Sequence, residues 1–275
     1  VILGINRISV PAEYKNMSNQ IFILGANDIE MQAIEALLAQ KNIAVGYAAA
    51  PDREGNTKRC FPDTAGKFTS IISKNGEEIE VDAFDQMVLI ECTPADSYSI
   101  KQEKIVVDHH KPGDPGFAAT PADFEAGSSL GQVADLLGLQ LDQKQRVIAA
   151  ADHCLGAAYQ GECPGVTPEE VLAIRLPELC ARQRVSEDEA KKEIQKCVAL
   201  LENPTATITV GDQEVPDFRK NGALPFMVEA GTMTGKSFLA HVDSRPGFEQ
   251  KVMLNGDAAT VQAFLDNAAD LGISD

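Results

Sequence analysis

Four short, almost unbroken apolar runs mark the first half of the chain: IFIL at 21–24, residues 44–50, QMVLIEC at 86–92 and residues 104–107. Strands that read this way are buried on both faces, as in mostly parallel sheets whose crossover helices cover both sides. Helix-like segments alternate with the runs. Met31, Ile34, Leu37 and Leu38 repeat at helical spacing after the first run, with Asn27 or Asp28 placed as N-cap. Further helices are predicted at about 128–137 and 143–159, and residues 67–83 read as a hairpin turning at Asn75-Gly76. The expected fold class is α/β, a mostly parallel sheet flanked by helices.

The second half has another texture. Residues 167–202 are helical and charged, with starts at Thr167-Pro168-Glu169 and Ser186-Glu187-Asp188-Glu189 that put acids in the first turn. From Thr205 the chain carries strand-like runs, ATITV, LPFMVEA, KSFLAHV and KVMLN, and then a helix over 258–271. The expected organisation is an α/β domain at 17–162, a helical connector at 163–204 and a small α+β domain at 205–275. Residues 1–16 differ from the MSNQIFILG that follows, and Met17 reads as a natural start, so they are expected to be an extension outside the fold.

Composition narrows the function. With 275 residues and a formal charge of -17, the chain lacks the basic character of proteins that coat nucleic acid or membrane surfaces. No run of about 18 apolar residues is present, which excludes a membrane-spanning helix. The six cysteines (60, 92, 154, 163, 180 and 197) form no CxxC pair. They read as reduced thiols, and with no signal-peptide segment they favour a cytoplasmic location.

The stretch KIVVDHHKPGD, 104–114, raises the question of function, because only 4 histidines occur and two of them follow Asp108 directly after a buried run. In parallel sheets ligands bind beyond the carboxyl ends of strands. Asp28 and Glu30 follow the first run, Glu91 ends the third, and Asp108, His109 and His110 end the fourth. Asp152 and His153 interrupt an apolar helix in AAADHCLGAAY. His153 reads equally well as a core histidine. Carboxylates with imidazole suit Mn²⁺, Mg²⁺, Fe²⁺ or Co²⁺ rather than soft-metal chemistry.

This order of motifs, Asn27-Asp28-Ile29-Glu30, then Glu91, then Asp108-His109-His110, then Asp152, resembles the DHH phosphoesterase superfamily. That superfamily includes family II inorganic pyrophosphatases, exopolyphosphatases, oligoribonucleases and cyclic-dinucleotide phosphodiesterases. The resemblance implies a catalytic set of Asp28, Glu30, Glu91, Asp108, His109, His110 and Asp152. Within it Asp28 and Glu30 bind one metal each, Glu91 bridges, and His109 and Asp152 complete the ligands. Asp108 orients histidines and His110 faces a substrate phosphate. It also implies divalent-metal hydrolysis, with Mn²⁺ favoured, in a crevice closed by the C-terminal domain.

Three departures qualify the resemblance. The family commonly places a histidine four residues before the first aspartate, where this chain has Leu24, and two aspartates of the pattern are Glu30 and Glu91. No glycine-rich motif of the nucleic-acid-acting members is found, which points away from long nucleic acids. In the C-terminal part Lys236, His241 and Arg245 are candidate phosphate contacts. GTMTGKS at 231–237 is not a P-loop, since three residues rather than four separate its glycines and a strand pattern follows. The expected activity is a metal-dependent phosphoesterase acting on a short oligonucleotide, cyclic dinucleotide or nucleotide phosphate, with a homodimer allowed. The alternatives are a pyrophosphatase or exopolyphosphatase, a degenerate nucleotide- or metal-binding protein, and an acidic interaction module.

Overall fold

In a computed structural model of the chain, residues 19–220, 224–242, 251–256 and 258–266 are described. Two compact units meet in sequence between Cys154 and Leu155. Residues 1–16 and Arg245 lie outside the described residues.

The first unit is built on β1 (Gln20–Leu24), β2 (Ala44–Pro51), β3 (Thr57–Arg59), β4 (Ser70–Ile72), β5 (Gln86–Ile90) and β6 (Glu103–Val107). Their order is β3-β2-β1-β5-β6, with β4 also on β2. β1 runs parallel to β2 and β5, and β5 parallel to β6; β3 and β4 are antiparallel to β2. The sheet is thus mixed and mostly parallel. The apolar runs have the expected cause: alternate residues of β1 and β5, Ile21, Ile23, Met87 and Leu89, join one core cluster, while Phe22, Leu24, Val88 and Ile90 are buried as well. The predicted hairpin turns at Asn75-Gly76 with Gly76 at φ 85, but its second arm shrinks to one bridge, Ile72 to Glu78, and β4 pairs with β2 instead.

The helices of this unit are α1 (Ile29–Gln40), α2 (Pro62–Ala65), α3 (Phe124–Gly127), α4 (Ser129–Leu136) and α5 (Gln143–His153). α1, α4 and α5 pack on one another, α1 also on β2 and α4 on β6. The helix expected over 143–159 is broken. Cys154 leaves helical geometry at φ -150 and ψ 55, so Asp152 and His153 occupy the last turn of α5. Apolar residues on both sides keep helical spacing through AAADHCLGAAY, which hides the break in the sequence.

The second unit opens with α6 (Leu155–Tyr159), α7 (Pro168–Gln183) and α8 (Glu187–Glu202). Capping boxes Thr167 with Glu170 and Ser186 with Glu189 start the last two. There follow β7 (Thr207–Val210), β8 (Gln213–Pro216), α9 (Met227–Thr234), β9 (Phe238–Val242), β10 (Lys251–Asn255) and α10 (Ala258–Asp266). The helices of 167–202 share one core with α9 and β9: Leu176, Leu179, Ile194, Cys197 and Leu201 pack with Phe226, Met227, Ala230 and Phe238. LPFMVEA, expected as a strand, is therefore largely helix, because packing against α8 rather than local propensity decides it. Gly231 lies inside α9 and Gly235 caps it at φ 63, with a strand following, the reverse of a P-loop's order. Buried Glu229 accepts from Tyr159 Oη at 2.5 Å and from Arg175 Nε and Nη2 at 2.9 and 2.7 Å. Among the described residues no helix is long and apolar enough to cross a membrane.

Candidate metal centre

The carboxyl ends of β1, β5 and β6 and the last turn of α5 bring one set of side chains together. β1 ends at Leu24, and Gly25 N–H donates to Ile90 O at 3.0 Å, so the chain leaves the sheet tight against β5. A side chain at position 25 would put its Cβ 2.6 Å from Glu91 O, which explains the glycine. Asp28 then caps α1, its Oδ1 accepting from Met31 N at 2.8 Å. Two residues on, Glu30 points inward and is fully buried, its Oε1 accepting from Leu130 N at 2.8 Å in the first turn of α4.

Glu91 follows β5 in the left-handed region, φ 47, although it is not glycine. Its N–H still continues the ladder to Val107 O at 2.9 Å. After β6, Asp108 Oδ1 accepts from the backbone of His109 at 2.7 Å and of His110 at 3.2 Å, and takes His110 Nδ1 at 2.8 Å. His109 thereby turns inward, where its Nε2 lies 2.9 Å from Asp152 Oδ2 and 3.2 Å from Glu91 Oε1. The ring of His110 stacks on that of His109 at 4.4 Å and stays mostly exposed.

One ligand atom from each of Glu30, Glu91, His109 and Asp152 lies within 4.8 Å of the others, and Glu91, His109 and His110 form an overlapping set. Ligands on opposite sides of a divalent ion bound at about 2.1–2.4 Å are about 4.2–4.8 Å apart, so the spacing suits such an ion. Compared with known proteins, the chain matches no family model, no curated protein and no solved structure.

Two orphaned atoms test the fit of a cation. Glu30 Oε2 and Glu91 Oε1 are buried and receive no well-directed hydrogen bond, although His109 Nε2 lies 3.2 Å from the latter. Buried carboxylate oxygens are ordinarily satisfied, and leaving them bare is costly. A divalent ion would answer both, so this cluster could hold one. Three carboxylates and one imidazole are a hard oxygen-rich set, with no thiolate to select a soft metal.

Proton affinities carry the same signature. Burial, reinforced by the charges of Asp152 and Glu91, raises the pKa of Glu30 well above the usual carboxylate range. Asp28 is pushed up to about 6 by burial, against the pull of Met31 N–H and with help from Glu91 and Asp152. Burial alone would lower His109, but the hydrogen bond to Asp152 and the adjacent Glu91 carboxylate outweigh it and raise its pKa to about 10. Asp152 is depressed because His109 overcomes its own burial. Without a cation the cluster thus retains protons to offset its crowded negative charge, and a metal would displace them.

Not every expected residue joins the four-ligand set. Asp28 is half-buried beside it, with one oxygen engaged as a cap. Asp108 organises the triplet, holding the backbone of both histidines and the ring of His110, rather than touching the ring of His109. Leu24 is fully buried in the sheet, where it offers no donor. Lys236 and His241 belong to the second unit, exposed and half-buried respectively.

Several contributors were not visible in the sequence. Arg59, on the antiparallel edge strand β3, stacks over Tyr47 at 4.5 Å and donates from Nε to Gly25 O at 3.0 Å and from Nη2 to Ala26 O at 3.2 Å. It clamps the turn that presents Asp28. Gly116 and Gly127 leave the room that the histidines occupy: a Cβ at 116 would meet His109 Cβ at 2.8 Å, and one at 127 would meet His153 Nε2 at 2.6 Å. Their spacing in PGFAATPADFEAGSS gives no hint of this.

Proposed function

We propose that the chain is a metal-dependent phosphoesterase of the DHH type, acting on a small phosphorylated substrate such as a short oligonucleotide, a cyclic dinucleotide or a nucleotide phosphate. The observation that carries the reading is the convergence of Glu30, Glu91, His109 and Asp152, with two buried carboxylate oxygens that receive no well-directed hydrogen bond. The order of these residues along the chain adds the resemblance to that superfamily. Glu30, Glu91, His109 and Asp152 would hold the ion, and Mn²⁺ is the best match to the donor set, with Mg²⁺, Co²⁺ and Fe²⁺ next. A divalent ion supplies Lewis acidity and an acidified bound water for attack on phosphorus.

The chain's own groups supply the rest. Asp108 fixes His110 through Nδ1 and leaves its ring exposed, so its Nε2 is free to donate to a phosphate oxygen or a leaving group. Asp108 also raises the proton affinity of His110 through that hydrogen bond, which favours the charged donor. The net charge of -17 favours small substrates over long nucleic acids, and the scattered cysteines favour a cytoplasmic setting. Pyrophosphate or polyphosphate would suit the same chemistry.

A second reading, a metal- or nucleotide-binding protein without turnover, draws on two observations. Leu24 stands in the core where the resemblance calls for a ligand, and Asp28 Oδ1 is engaged by Met31 N–H. Metal content and the thermal shift of the chelated protein with each ion, followed by a phosphoester panel, separate the two. Turnover lost in His109→Ala and Glu30→Gln supports the enzyme. A metal-dependent shift with no hydrolysis of any substrate supports the binding protein. No shift at millimolar ion, in any metal, refutes the enzyme and the metal-binding protein, and no shift with added nucleotide then refutes the second reading altogether.

A further inference from the structure

The geometry points to His153 as a positioning residue that sets which nitrogen of His109 is offered to the metal; this rests on the cluster being a metal centre. His153 Nε2 lies 3.2 Å from Ala119 O, and its Nδ1 lies 3.4 Å from Nδ1 of His109. A backbone carbonyl only accepts, so His153 Nε2 carries a proton. A neutral imidazole has one N–H, which makes His153 Nδ1 an acceptor. The hydrogen between the two Nδ1 atoms then belongs to His109. Its Nε2 faces Asp152 and Glu91, the side where the ligands converge, and once a metal displaces the Nε2 proton the lone pair there would point at the ion. The tautomer of a metal-bound histidine is set by the partner of its other nitrogen, commonly a carboxylate or a carbonyl. Here a second histidine takes that place and passes the constraint to Ala119 of the main chain.

The packing around this relay is built for it. The rings of His109 and His153 meet edge-on, centroids 5.1 Å apart at 62°. Gly127 closes on the far nitrogen so tightly that a methyl group there would overlap both His153 Nε2 and Ala119 Cβ, at 2.6 Å each. The ring is thus held between a carbonyl and a ligand, and its position in sequence beside Asp152 lets one turn of α5 deliver both a ligand and the group that orients another.

Manganese affinity of the full chain tests the inference, read as loss of the free-ion electron paramagnetic resonance signal during titration of the metal-free protein. His153→Ala is expected to weaken binding about 10–100-fold, the usual effect of removing an orienting partner. His153→Gln, whose amide carries both a donor and an acceptor, is expected to recover most of the loss, and His153→Met is not. Equal weakening in Gln and Met variants would overturn the relay, since acceptor chemistry would then be irrelevant. Wild-type affinity in His153→Ala, within twofold, would overturn it while leaving the metal centre intact. Absence of Mn²⁺ binding in the wild-type chain would remove the metal reading itself and this inference with it. Where His153→Ala does not fold, the comparison of Gln with Met decides alone.

Discussion

Asp28→Asn separates the two roles of that residue. Asparagine keeps an oxygen to accept from Met31 N–H, and it caps helices as well as aspartate does. What it removes is a negative charge beside Glu91 and Asp152. Burial and those two charges raise the Asp28 pKa from 3.8 to about 6. At about 1.4 kcal/mol per pH decade, that interval corresponds to about 3 kcal/mol, and partial exposure trims it to about 2–3 kcal/mol. The sign follows from the direction of the shift. The folded chain holds this proton more tightly than the unfolded chain, so the stabilisation is complete below about pH 4 and is lost as pH rises through about 6. Metal-free Asp28→Asn should therefore match the wild type at pH 4.0 and exceed it by about 2–3 kcal/mol at pH 7.5. Urea melts in chelator at these two pH values, on either side of the sequence pI of about 4.6, give the comparison. Saturating Mn²⁺ should shrink the gain, because a cation neutralises the repulsion that the substitution relieves. A change of equal size at both pH values, or a loss at pH 7.5, would refute the reasoning.

Two further substitutions probe the packing. Glu229→Ala strands Arg175 and Tyr159 and should cost about 2–4 kcal/mol in urea melts, less than a fully buried pair because the Arg175 side chain is 25% exposed; Tyr159→Phe removes one hydrogen bond and should cost about 1 kcal/mol. Gly25→Ala drives a Cβ into backbone atoms of Ile90 and Glu91, so it should destabilise by about 1–3 kcal/mol and reduce the thermal shift given by Mn²⁺ as Glu91 is displaced.

The centre of the sheet was legible because β1 and β5 are buried on both faces and carry no polar alternation; the run at 104–107, expected to be buried likewise, is instead the edge strand β6, with Val106 47% exposed because no strand covers that side. Finding Glu91 and the Asp108 triplet at strand ends then needed only the rule that sites gather there. Asp152 was legible as a charge in an otherwise apolar helix, and Glu30 only as an acid just past the first strand. What stayed hidden depends on distant partners. Arg59 finds the main chain of Gly25 and Ala26 across the sheet, with no local pattern to announce it. The strands β3 and β4 are three residues each, too short for a period to register. Residues 227–234 form a helix because Met227 and Ala230 fit the core beneath α7 and α8, whereas LPFMVEA at 224–230 alone reads as a strand. His153 looked like any buried ring until its two nitrogens had named neighbours.

Glu91 has a consequence of another kind. A non-glycine residue at φ 47 sacrifices on the order of 1 kcal/mol of backbone energy that glycine would not. Glycine at 91 would also delete a buried carboxylate oxygen that receives no well-directed hydrogen bond. A library selected for heat resistance in the presence of chelator would accordingly be expected to discard the glutamate early, whereas one selected with Mn²⁺ would retain it. Position 91 is thus a place where the demands of the bare fold and of a metal-bound one would part.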